Sequence, residues 1–159
     1  MANYAIMRLK KLKSAAKIMG MARHNFRSID TPNADPSKVL LNEHKACSGV
    51  FEVMEKYKAL LPDKVRKNAI HAVDYMITTS ATASPRDNQI AIDKGIEWVT
   101  EKHGKENVLM CSIHRDETTP HVHIVVMPLL DGKLNGKHFV GGHKDRLSDL
   151  QTEYFEPLG

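Results

Sequence analysis

The sequence predicts an α+β domain, an antiparallel β-sheet with helices packed on it. Three observations carry that expectation. Apolar residues alternate at period two in several segments, as in Val73, Tyr75 and Ile77 against Asp74 and Met76. Segments of helical period run between them. The last two strand-like segments are joined by a six-residue connection that turns the chain back on itself.

Taken in order, residues 4–9 read as a first strand, followed by the basic link Lys10, Lys11, Leu12 and Lys13. From Ser14, a residue suited to an N-cap, Ala15, Ile18, Met19, Ala22 and Phe26 recur at helical spacing. Gly20 weakens that helix without breaking it. Residues 28–42, polar and marked by Pro32 and Pro36, are expected as a loop. A helix over 50–61 is stopped by Pro62, and a strand covers 70–79. Ser84 and Pro85 open a helix to about His103, with Ile90, Ile92, Ile96 and Val99 or Trp98 inward and Gly104 as its stop. The paired strands over 108–113 and 121–127 follow, then a turn at Asp131, Gly132 and Lys133. A last helix is expected over 143–155, with Leu147, Leu150 and Tyr154 on one face. The order β-α-loop-α-β-α-β-β-α places the helices on one face of the sheet.

A chain of 159 residues is long enough for one domain with its own core. No apolar run is long enough to span a membrane, and the N-terminus puts its basic residues after its apolar ones, unlike a secretory signal. Cys47 and Cys111 form no disulfide framework and fit no metal spacing, so they are expected as idle thiols in a reducing cytoplasm. The net charge of +4 is uneven: residues 1–40 hold eight Lys/Arg against two Asp, which is +6, and the remainder is −2. Such a basic segment meets a polyanion or stays solvated, and charge alone leaves both open.

His114, His121 and His123 share one short stretch with Asp116, Glu117 and Pro120. Residues two apart in a strand face one side, so His121 and His123 aim at one spot, and the returning chain puts His114 beside them. Imidazoles among Ile and Val are costly to bury unless each finds a partner. A metal is such a partner, and three imidazoles leave positions open for a substrate. The expected chemistry is metal-assisted, on a phosphate. Zn2+, Mn2+, Co2+ and Ni2+ all suit three imidazoles. Glu117 and Asp116 could ligate, orient a ligand ring or face water, and Asp116 is expected to be solvated. Pro120 restricts Thr119 to extended backbone and helps deliver His121 into its strand.

A second candidate pair is His24 and Arg27, neighbours at i and i+3 if the first helix persists. A guanidinium beside an imidazole opposes its protonation and leaves a lone pair free. A neutral imidazole serves as nucleophile, base or ligand, and Arg27 can grip a phosphate. These two residues alone favour a solvated helix end. At this level a small metallohydrolase, a rolling-circle replication initiator using tyrosine, and a non-catalytic metal-stabilised DNA-binding module all remain open.

His24 with Arg27, then Asp35, Ser37 and Lys38 with Leu41 and Asn42, then His114, Asp116, Glu117, Pro120, His121 and His123 form an ordered set of three motifs. That set resembles the Mob/Pre plasmid mobilisation proteins, the MobV-type relaxases related to the HUH endonucleases. The resemblance implies an HUH relaxase-like palm: one catalytic domain over residues 1–159, expected as the N-terminal part of a longer protein. It implies nicking and rejoining of one strand at a plasmid transfer origin, for conjugative mobilisation. It implies Mn2+ or Mg2+ held by His114, His121 and His123, and attack by His24 giving a histidine–DNA phosphoramidate. Arg27 would tune His24 and hold phosphate, while Glu117, Lys38 and Asn42 would support the site and the DNA. Arg8, Lys10, Lys11, Lys13 and Lys17 would track the backbone of single-stranded or hairpin DNA. Two departures stand out. Glu43 and His44 follow Leu41 and Asn42 where some members have a tyrosine, and Lys38 stands where others have arginine. No tyrosine lies between Tyr4 and Tyr57, which favours His24 as nucleophile. A homodimer would form only through a C-terminal region beyond this chain.

Overall fold

A computed structural model of the chain describes residues 5–141. The helix expected over 143–155 lies outside the described residues. Five antiparallel strands form one sheet in the order β1-β3-β5-β4-β2: β1 (Ala5–Leu12), β2 (Glu43–Lys45), β3 (Ala72–Thr79), β4 (Val108–His114) and β5 (His121–Val126). Helices α1 (Ala15–Asn25), α2 (Val50–Leu60) and α3 (Pro85–His103) pack on it. A small hairpin of β6 (Leu129–Leu130) and β7 (Lys133–Leu134) leads into the short α4 (Gly136–Val140). Its two-residue turn, Asp131 and Gly132, has positive φ at both positions (53° and 76°), which the twist of a hairpin favours.

The helices lie on both faces of the sheet, correcting the one-face expectation. Alternation decides which face each strand residue joins. Val73, Tyr75, Ile77, Cys111, Ile113, Val122 and Ile124 meet Ile92 and Val99 of α3. Leu12, Ala72, Met110 and Val125 meet Ile18 and Ala22 of α1 and Val53, Met54 and Tyr57 of α2. At a register shift between Val108 and Met110, the consecutive residues Leu109 and Met110 both join the α1/α2 layer.

Other expectations shift by a few residues. Lys10, Lys11 and Leu12 belong to β1 rather than to a link; Leu12 is buried under α1 while the lysines line an edge strand. Ser14 caps α1, accepting from the Lys17 amide at 3.2 Å, but the helix ends at Asn25, one residue before Phe26. The expected loop holds a 3-10 helix at Pro36–Leu41, capped by Asp35, with no buried residue. In α3 the inward positions are Asn88, Ala91, Ile92, Gly95, Val99 and His103, and Ile90 is exposed. Strand β2 has no counterpart in the sequence reading; its three residues are all exposed, so no apolar alternation marks it.

Candidate functional site

His114 closes β4 directly opposite His121 at the start of β5, and His123 is two residues on. All three rings lie on the α1/α2 face, because Ile113, Val122 and Ile124 take the other. The ring centroids are 5.1 to 5.4 Å apart. One nitrogen from each ring lies within 4.8 Å of the others, so the three could hold a metal ion.

The partners of the remaining nitrogens make the donor set specific. His114 Nε2 donates to the carbonyl of Asn25 at 2.8 Å, His121 Nδ1 to the carbonyl of Thr119 at 3.0 Å, and His123 Nδ1 to Asp74 at 3.0 Å. These acceptors assign the tautomers: each ring has its N–H tied outward and its lone pair turned inward. His114 Nδ1 and His121 Nε2 consequently face each other at 3.4 Å. Burial presses His114 down to about 3 and lowers His121, which keeps both rings neutral. Three imidazoles with outward hydrogen bonds and lone pairs turned to one spot fit a divalent cation.

Helix α1 brings His24 to this cluster. In its last turn the His24 ring lies 6.1 Å, centroid to centroid, from both His114 and His123. The helix end also fixes a ligand, since the Asn25 carbonyl that accepts from His114 lies in the last turn, where carbonyls lack helical donors. Burial first, and the Arg27 guanidinium second, lower the His24 imidazole below its ordinary 6.5.

The helix stops between His24 and Arg27. Ser28 N–H donates to the Arg23 carbonyl at 2.8 Å and Arg27 N–H to that of His24 at 3.2 Å, closing a Schellman cap. Its left-handed position is Arg27, at φ 56°, where glycine is usual. The strain is of order 1 kcal/mol and needs compensation. Arg27 Nε and Nη2 donate to the two Asp116 oxygens at 2.7 and 2.8 Å, Nη2 also to Glu117 at 2.8 Å, and Nη1 to the His24 carbonyl at 3.1 Å. Arg27 is therefore engaged by protein groups through Nε, Nη1 and Nη2. Asp116 is 1% exposed, not solvated, and its carboxyl is held at about 2 chiefly by Arg27. Glu117 borders the cluster, with its carboxylate 3.3 Å from His121 Nε2.

The basic residues divide. Arg8 is in register with Met76, which is in register with His123, and Lys10 reaches Val125 through Asp74, so both share the histidine face. Both side chains are exposed there. Lys11 lies in register with Val73 on the opposite face, its Nζ 3.5 Å from the Gly141 carbonyl, which removes it from the expected DNA track. Lys13, Lys17 and Lys38 are exposed. Asn42 accepts from the Arg115 amide at 2.7 Å through its side-chain oxygen and braces the connection.

Three groups escaped the sequence reading. Asp74 looked outward-facing but is 3% exposed and orients His123; the strand register, which sequence does not display, brings them together. Asp116 finds Arg27 89 positions away. His44 comes to the site on β2, where its Nδ1 is 3.0 Å from Ser112 Oγ and its ring lies 4.5 Å from Phe26.

Comparison with known proteins gives concordant findings. The family model described as plasmid recombination enzyme matches residues 1–158. A 65 kDa protein of Zymomonas mobilis is 31% identical over all of this chain and 30% of its own length. Plasmid recombination enzyme type 3 of Staphylococcus aureus is 28% identical over 97% of this chain and 40% of its own. The chain thus spans well under half of these relatives. Among solved structures, the Mn-bound MobM relaxase domain in complex with plasmid pMV158 oriT DNA superposes with a TM-score of 0.80 at 23% identity, covering 98% of this chain and 87% of that one. That likeness establishes the fold.

Proposed function

The chain belongs to the plasmid recombination enzyme (Mob/Pre) family, and on that premise we propose that it is a relaxase domain, extending over residues 1–159, that nicks and rejoins one DNA strand at a plasmid transfer origin through His24. One observation carries the reading: a neutral, half-buried imidazole on a capped helix end, 6.1 Å from two rings of a three-histidine cation site. His114, His121 and His123 would hold the ion, Mn2+ as in the MobM relaxase structures or Mg2+. When bound, it would supply a Lewis acid for a nonbridging oxygen of the scissile phosphate.

The protein's own groups account for the rest. His24 attacks phosphorus through a ring nitrogen, forming an N–P bond as the P–O3′ bond breaks, and the freed 3′-hydroxyl can reverse the exchange. A low proton affinity keeps that nitrogen available at neutral pH. Asp116 and Glu117 fix Arg27, and Arg27 fixes the carbonyl and the charge beside His24. Arg27 and Glu117 thus belong to the catalytic machinery as positioning groups. Exposed Arg8 and Lys10 extend the histidine face into a cationic strip suited to a DNA backbone, and exposed Lys13, Lys17 and Lys38 add further positive charge. Tyrosine chemistry lacks support among the described residues: Tyr57 and Tyr75 are buried, with their hydroxyls on His71 and His103.

The test is a nicking assay on supercoiled plasmids carrying alternative transfer origins, with Mn2+ or with chelator, the nick then being mapped on an end-labelled oligonucleotide. A covalent adduct should form only with metal, break down in acid as a phosphoramidate does, and vanish in His24→Ala. An acid-stable adduct, or one that persists in His24→Ala, would overturn the assignment.

A further inference from the structure

Strand β2 is an edge strand with exposed side chains, so the packing of the core does not call for an aromatic ring at position 44. The register nevertheless brings one to the site. His123 pairs with Ser112, and Ser112 with His44, so the three form a row across β5, β4 and β2 on the α1/α2 face. Ser112 is fully buried between the two histidines, and its Oγ lies 3.0 Å from His44 Nδ1. His44 is not one of the three imidazoles that converge on a cation; its ring stands 6.4 Å from that of His114 and at 71° to it. It packs instead on Phe26, with ring centroids 4.5 Å apart and planes tilted by 32°.

Phe26 is the C-cap residue of α1, two positions past His24 and one before Arg27. The His24 ring makes no hydrogen bond to the protein among the described residues, so the helix end that carries it decides where its nitrogens lie. Two consecutive residues fasten that end to two different parts of the site. Arg27 ties it to Asp116 and Glu117 on the β4–β5 connection. Phe26 ties it, through His44 and Ser112, to the strand that ends in His114. In-line attack tolerates little displacement, and moving a reacting group by about 1 Å costs up to about a hundredfold in rate. We propose that His44 is a positioning residue for the nicking step: its ring, wedged between Ser112 and Phe26, sets the place of His24 over the cation site. The proposal rests on the nicking reading and gives His44 no contact with the reacting atoms.

The rate is read as single-turnover nicking of the end-labelled oligonucleotide at saturating DNA and Mn2+, so that binding does not enter. His44→Ala should nick about ten- to a hundredfold more slowly, with Mn2+ affinity, DNA affinity and circular dichroism as in the wild type. His44→Phe keeps a ring against Phe26 and should recover most of the loss. His44→Asn keeps a hydrogen-bonding group for Ser112 without the ring and should recover little. Phe26→Leu should slow nicking as His44→Ala does, and combining the two should add no further loss, because both remove one contact. In the metal-free protein, the His24 ring resonance, identified by its absence from His24→Ala, should broaden in His44→Ala and sharpen again in His44→Phe. Wild-type nicking by His44→Ala, an unchanged His24 resonance in that variant, or a His44→Phe variant just as slow would overturn the assignment while nicking stands. So would losses that multiply in the double variant, or a slower rate explained by lost Mn2+ or DNA affinity. If His44→Ala fails to fold, Phe26→Leu decides, and a wild-type rate there overturns the assignment equally. Absence of any metal-dependent nicking by the wild type would overturn both readings.

Discussion

The two faces of the sheet differ in what they bury. On the α3 side, Val73, Tyr75, Ile77, Val122 and Ile124 close an apolar layer that also buries His103, pressed to about 3 and hydrogen-bonded to Tyr75. On the α1/α2 side, the apolar layer gives way toward the β4–β5 turn to Asn25, Asp74, Ser112, His114 and Asp116, all buried. Polar groups in that position cost stability unless each has a partner. Most have one: Asp74 for His123, the Asn25 carbonyl for His114, Arg27 for Asp116, while Asn25 Oδ1 has none among the described residues. One face makes the fold, and the other spends part of that stability on preorganised ligands and a poised imidazole.

The largest expected separation between the faces is in stability. Ile124→Ala empties a fully buried position on the α3 side and should cost about 2–5 kcal/mol in denaturant unfolding. The refolded protein should bind Mn2+ with unchanged affinity, because His121 and His123 point the other way. A loss of Mn2+ affinity under conditions where the variant is fully folded would mean the two layers are not separable.

Asp116→Asn comes next. The Asp116 carboxyl titrates at about 2 in the folded chain against an ordinary 3.8, a difference of about 2 kcal/mol in favour of the folded state when ionised. Because the folded value is the depressed one, that stability is present above pH 3.8 and is lost as pH falls toward 2. Asp116→Asn should therefore be less stable at pH 6 and lose less between pH 4 and pH 2 than the parent. Parallel acid-unfolding curves for the two proteins would contradict the Arg27 lock.

These contrasts also mark what the sequence could convey. Periodicity exposed β3, β4, β5 and the three long helices, because each buries an apolar face of its own. It could not say which side of the sheet a helix takes, since that depends on connections rather than on any one segment. The histidine cluster was legible because strand alternation and a short return bring its members together locally. Asp116 and Asp74 were not. A lone acid in a polar connection or a strand reads as solvated until distant residues, Arg27 or His123, are folded against it. Arg27 in the left-handed region went unforeseen because local preference there is for glycine, and the carboxylates that hold it are non-local.

Asp74→Asn tests the polar layer at its deepest orienting contact. An amide can accept the His123 N–H but lacks the carboxylate's charge, so Mn2+ affinity should fall ten- to a hundredfold, as for other groups that orient a ligand ring. The measurement is titration calorimetry. The same affinity in Asp74→Asn would show that the carboxylate contributes nothing beyond shape.

The smallest effect resolves the faces most cleanly, because it compares charges of one type on one strand. Arg8 and Lys10 project on the histidine side of β1, and Lys11, between Lys10 and Leu12, projects on the other. Removing any one of them changes net charge by the same amount, so a long-range field would treat them nearly alike. Direct backbone contact would not. If the strand runs along the histidine face, Arg8→Ala and Lys10→Ala should each weaken single-stranded DNA binding a few-fold and lower the slope of log K against log salt by about 0.7, the value for one lost phosphate contact. Lys11→Ala should leave that slope unchanged. Equal slopes for all three variants would mean that β1 attracts DNA only as diffuse charge, and the track would then have to run along α1 or the Pro36–Leu41 turn instead.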